Sequence, residues 1–145
     1  MKNVIVKDLI YVVLIGIVVS ILTGIAVGTI DFLLYESVGI TLNIFFFIGA
    51  YFIASYIRRQ YVESEVLYQV IAVIVTLFGY FFSTVIFFTF INGIDAFWFI
   101  FKIIFSLEYM IDFFNPINII NGGFNSIIEY FFIFMFGYIA YTKTK

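Results

Sequence analysis

Three stretches of the chain, residues 9–30, 38–57 and 66–91, contain no charged side chain. A helix needs roughly 20 apolar residues to cross the hydrocarbon core of a bilayer, and each stretch is about that long. No water reaches that depth, so every backbone N–H and C=O must be bonded within the segment, which makes each stretch a helix. A fourth stretch, 124–142, is uncharged except for Glu129. The expected fold class is an all-α membrane protein: a four-transmembrane-helix bundle forming one integral membrane domain over residues 1–145, with the lipid bilayer as its first partner.

Composition speaks against a soluble alternative. Of 145 residues, 65% are hydrophobic and 11% charged, against about half and a quarter in ordinary soluble domains. A water-soluble globule of this size leaves much of its surface exposed, and many of the 22 Phe and 11 Tyr would face water. The chain has neither Cys nor His, which removes disulfides, thiolate nucleophiles, the commonest general base and the commonest transition-metal ligand. No P-loop, dinucleotide fingerprint, nucleophile elbow or zinc-protease motif occurs, and no carboxylates stand at metal-ligand spacing. Neither an enzyme nor a bound cofactor or metal is expected. With a net charge of −2 and no basic patch, nucleic acid is not expected as a partner either.

Cations set the expected orientation, because loops rich in Lys and Arg stay cytoplasmic. Lys2 and Lys7 precede the first run, Arg58 and Arg59 follow the second, and Lys143 and Lys145 follow the fourth. Four spans bring all three groups to one face, so both termini are expected in the cytoplasm. Asp31, Glu36, Asp95, Glu108 and Asp112 then gather outside, with Asp31 and Glu36 framing a short turn in water or headgroups. Lys2 and Lys7 before an apolar run imitate a secretion signal. Residues 9–30 outrun a signal core, however, and Asp31, Phe32 and Leu33 follow where a small-residue cleavage site would stand, so a retained signal-anchor helix is expected. High Phe, Ile, Asn and Tyr with little Pro or Arg hints at an AT-rich bacterial genome, so the bacterial cytoplasmic (cell) membrane is the expected host membrane.

Residues 96–114 are the ambiguous stretch. Asp95, Lys102, Ser106 and Tyr109 fall on one narrow stripe of a helical wheel, and Phe97, Trp98, Phe101, Ile104 and Phe105 cover the rest. That pattern predicts an amphipathic helix lying in the headgroup region between spans three and four. The alternative is a fifth span, which would immerse Lys102 and carry the carboxyl tail outside. Asn115-Pro116-Ile117-Asn118 and Asn121-Gly122-Gly123 read as irregular connection.

Along the first run Gly16, Ser20, Gly24 and Gly28 recur every four residues and form a ridge with almost no side chain. Such ridges let backbones approach closely and drive helix association in lipid. Two uses are open. One is internal packing on the second helix, where Gly49, Ala50 and Ala54 offer a shorter small patch. The other is contact with a second copy or a larger membrane protein. Glu129 is the only acid within an expected span, and with Asp31 it is the candidate for an ion or solute pathway, because ionisable groups at membrane depth often mark such paths. The simpler reading leaves it shallow and solvated at the outer interface. Asn43, Gln69, Thr76, Ser83 and Thr84 read as hydrogen-bonding glue.

The glycine-ridged first helix, Glu36-Ser37-Val38-Gly39-Ile40 entering the second, and Tyr68-Gln69-Val70-Ile71-Ala72-Val73 opening the third resemble a loose class of uncharacterised bacterial four-helix integral membrane proteins. Pro116 before a last helix ending in Ile139-Ala140-Tyr141 and cations continues the likeness. The resemblance implies architecture and no activity, and the aromatic segment 96–114 departs from it. Two function classes remain. One is a non-enzymatic accessory or interaction subunit working through the glycine face. The other is a small transporter or channel for an ion or small solute near Asp31 and Glu129, which needs an oligomer because four helices enclose little volume.

Overall fold

The computed structural model describes residues 6–39, 45–62, 65–115, 117 and 123–145. Among them the chain forms six α-helices and no strand: α1 Val6–Val38, α2 Phe45–Arg58, α3 Val66–Asn92, α4 Phe97–Ile104, α5 Leu107–Phe113 and α6 Gly123–Lys143, with a 3-10 turn at Ile94–Ala96. Two of these, α1 and α3, are long and apolar enough to cross a membrane. Their 33 and 27 residues extend over roughly 50 and 40 Å, more than a hydrocarbon core of about 30 Å. The described part of α2 has 14 residues; residues 40–44 of the second expected span, Asn43 among them, lie outside the described residues. The last helix, α6, has 21 residues and contains Glu129.

Apolar residues surround α1 on all sides, sorted by size rather than by polarity. Gly16, Ser20, Gly24, Gly28 and Asp31 are buried, while Ile10, Leu14, Val18 and Leu22 on the opposite side are more than half exposed. The small side fits α3, which runs in the same direction. Gly16 meets Val75, Gly24 meets Gly79 and Phe82, and Gly28 meets Ser83 and Ile86. A Cβ added to Gly28 would stand 2.6 Å from the Ser83 carbonyl oxygen, so the two backbones are in direct contact. The buried Ser20 hydroxyl donates to the Val75 carbonyl at 3.0 Å, which ties the seam with a bond that needs no water.

Running opposite to both, α2 seats Gly49 against Thr23 and Val27 and brings Ile57 beside Gly16. Antiparallel to α3 lies α6, with Tyr80 beside Glu129 near one end of the pairing and Gln69 Nε2 donating to the Tyr141 carbonyl at 3.0 Å near the other. The centre is aromatic: the Phe46 ring stands 4.9 Å from Phe136 and 5.7 Å from Tyr80, mostly edge to face. Such pairs contribute about 0.5–1.5 kcal/mol beyond simple burial in water-soluble cores.

Because helix directions alternate, Lys7, Arg58, Arg59, Lys143 and Lys145 collect at one end, where Asp8 and Glu65 also lie. That end is fastened by polar contacts. Arg58 Nη1 donates to the Tyr61 carbonyl at 2.8 Å, the Tyr61 ring stacks on Tyr68 at 4.3 Å, and the Tyr61 hydroxyl donates to the Thr144 carbonyl.

Two sequence expectations need correction. No turn forms at Asp31 and Glu36: α1 continues to Val38, because nothing before Gly39 interrupts its backbone. Gly39, at φ +76°, then ends it, donating its N–H to the Tyr35 carbonyl at 2.9 Å, the left-handed cap that glycine takes most easily. Nor is 96–114 one continuous helix. Gly93, at φ +100°, turns the chain back, and α4 descends along α3 with Phe97 and Phe101 on Phe82 and Phe105 on Phe78. A break at Phe105 and Ser106 follows, where the Ser106 hydroxyl caps α5 by accepting from the Tyr109 N–H at 3.2 Å. Aromatic contact with α3 outweighs the polar stripe, and helices of 8 and 7 residues are too short to cross a bilayer. The connection expected around Asn115 and Pro116 lies mostly outside the described residues, and Gly123 already belongs to α6.

Candidate functional site

All four ridge residues, Gly16, Ser20, Gly24 and Gly28, are buried. The groove they form is filled from within the chain, by α3 along most of its length and by Ile57 of α2 near Gly16. That face is not open to another molecule.

Asp31 prolongs the same face by one turn, three residues beyond Gly28, and this is why it is buried rather than in water or headgroups. It is 7% exposed, and its Oδ1 has no hydrogen-bond partner among the described residues. On α3 a polar stripe at helical spacing, Thr76, Tyr80, Ser83 and Thr84, runs from the level of Ser20 to that of Gly28. The Ser83 hydroxyl donates to the Tyr80 carbonyl at 2.6 Å and the Thr84 hydroxyl to the same carbonyl at 3.3 Å. Thr76 Oγ1, also buried, has no partner among the described residues.

Tyr80 partners one of the two sequence candidates: its hydroxyl donates to Glu129 Oε1 at 2.8 Å. Glu129 is therefore level with the middle of α3, deeper than its six residues from the start of α6 would place it, because α6 begins well short of the end of α3. From the side, α5 covers the cluster: Phe113 packs on Phe81 at 5.2 Å and on Tyr130 at 5.1 Å, and Glu129 acts on the half-buried Tyr109 hydroxyl.

Glu129 with Tyr80 makes a carboxylate–phenol pair in an aromatic setting, and Asp31 is a buried carboxylate on α1. Hard oxygen donors of this kind hold protons or hard cations. Among the described residues no three acidic groups come together to hold a metal ion. Sequence reasoning found Asp31 and Glu129 but missed Tyr80, although its position four residues after Thr76 on a polar stripe was the available signal. No protein-family model, curated protein or solved structure matches this chain, so the cluster and the packing around it are what bear on its function.

Proposed function

We propose that the chain is a four-span protein of the bacterial cytoplasmic membrane, with spans built on α1, α2, α3 and α6 and both termini in the cytoplasm. It binds a proton or a cation at Asp31 and Glu129 and works as a subunit of a small oligomeric transporter or channel. The buried Asp31 carboxylate carries the reading. A carboxylate in hydrocarbon must be protonated, paired or matched to a cation. Here one oxygen is unpartnered among the described residues, and the other candidate acid, Glu129, is bonded to a phenol rather than to a base. Two features support the membrane setting: large apolar side chains of α1 face outward while small ones face inward, and the cations collect at one end as cytoplasmic loops require.

In proteoliposomes the purified chain is expected to carry a proton or monovalent-cation flux that Glu129→Gln and Asp31→Asn each abolish. Flux no greater than that of empty vesicles, or flux indifferent to both substitutions, refutes the proposal. A second reading, a non-enzymatic accessory or interaction subunit, is favoured by the continuous exposed stripe Ile10, Leu14, Val18 and Leu22 on α1. Absence of flux together with a larger membrane protein co-purifying in mild detergent selects it.

A further inference from the structure

Between α1 and α2, on the side away from α3, runs an open apolar groove of about 490 Å³, within the roughly 300–1,000 Å³ of small-molecule clefts. It exists because its floor is small while its sides are large. Thr23, Val27 and Gly49 pack closely enough that a Cβ on Gly49 would lie 2.6 Å from Thr23 Cγ2. Leu22, Ile48 and Phe52 rise on either side, each more than half exposed. Along α2 the lining runs from Phe45 to Tyr56, about 16 Å at the helical rise. That matches the depth of one leaflet, half of a core about 30 Å thick.

The two ends of the groove differ. At the cationic end of the molecule the exposed Arg59 holds its guanidinium 4.9 Å over the ring of Tyr56, the last lining residue. Among the described residues no carboxylate pairs with it, whereas Arg58 beside it is engaged with Tyr61. The geometry points to a binding site for one anionic phospholipid of the cytoplasmic leaflet: its acyl chain lies in the α1–α2 groove and its phosphate meets Arg59. An arginine presents paired donors that fit a phosphate. In lipid the groove itself adds packing but no hydrophobic gain, so the choice of an anionic headgroup comes from Arg59.

The inference rests on the membrane reading, and the experiment separates the two. The full chain is incorporated into vesicles of equal phosphatidylglycerol and phosphatidylcholine, checked by flotation, extracted in neutral detergent and weighed intact by native mass spectrometry. One retained phosphatidylglycerol per chain is expected. Ala26→Phe, which fills the groove from an exposed lining position, is expected to lose it. Arg59→Gln, at an exposed position that leaves packing alone, is expected to lower the preference for phosphatidylglycerol over phosphatidylcholine about five-fold, the effect of one cation at a membrane surface. A floating chain that emerges lipid-free, a lipid-free dimer with a second copy in the groove, or retention equal in all three proteins overturns the site while sparing the membrane reading. A chain that does not float overturns both.

Discussion

Gly28→Ala adds one methyl group where α1 and α3 leave no space for it. The new Cβ would lie 2.6 Å from the Ser83 carbonyl oxygen and 2.7 Å from Ile86 Cβ, about 0.8 Å short of the 3.4 Å at which ordinary contact begins. Neither atom can move by a rotamer change, so the helices must part. A gap of roughly 0.5–1 Å forfeits a quarter to a half of the dispersion energy between the atoms it separates, and overpacking of this kind costs about 1–3 kcal/mol. Alanine's better helix propensity offsets about 1 kcal/mol, leaving a net loss of up to about 2 kcal/mol. Gly16→Ala is the control. Its Cβ would meet Val75 Cγ1 at 3.1 Å and Ile57 Cδ1 at 3.4 Å, side-chain tips that can yield, and the propensity gain keeps it within about 0.5 kcal/mol of the unaltered chain. Reversible unfolding in mixed micelles, titrated with a denaturing detergent, measures both. If Gly28→Ala unfolds at the same detergent fraction as Gly16→Ala, the backbone seam is not where these contacts put it.

Because the chain has no cysteine, orientation can be read by single-cysteine labelling: Glu36→Cys is expected to react with an impermeant maleimide from outside intact cells and Lys145→Cys only after permeabilisation, and the reverse pattern rejects the proposed topology. Burial pushes the Tyr61 phenol above its usual value, against the pull of Arg58 and the bond to Thr144. A raised folded value means that its contribution is complete below about pH 10 and lost as the pH climbs through that value. Thermal unfolding in detergent between about pH 8 and 11 should therefore show an alkaline loss for the unaltered chain that Tyr61→Phe reduces, and identical slopes would contradict this.

The uncharged runs made α1 and α3 legible, since a run of that length admits one backbone conformation in lipid, and the four-residue spacing made the α1 ridge legible. What filled the ridge was not readable. Small residues advertise a close approach without saying whose backbone approaches, and the patch at Gly49, Ala50 and Ala54 pointed to α2 where the structure seats most of the ridge on α3. The end of α1 was misjudged because Asp31 and Glu36 look like a water-facing turn. The same charge sits inside once one notices that Asp31 follows Gly28 by three residues on the ridge face. In 96–114 a wheel drawn over nineteen residues presumed one continuous helix. A stripe cannot reveal that Phe105 and Ser106 break it, because the break depends on ring contacts with Phe78 and Phe82 more than twenty residues earlier. Asp31 and Glu129 were each visible alone, but the pairing of Glu129 with Tyr80 depends on how far α6 is displaced along α3, which no local pattern encodes.

The Ser20 to Val75 bond spans 55 residues, and the ribosome delivers those residues in order. At about 5–20 residues per second, α1 is complete for roughly three to eleven seconds before Val75 has been made. During that interval its glycine ridge has no α3 to cover it. Gly49 on α2, which seats against Thr23 in the folded chain, is made before Val75, so α2 is the first part of the fold that can cover α1.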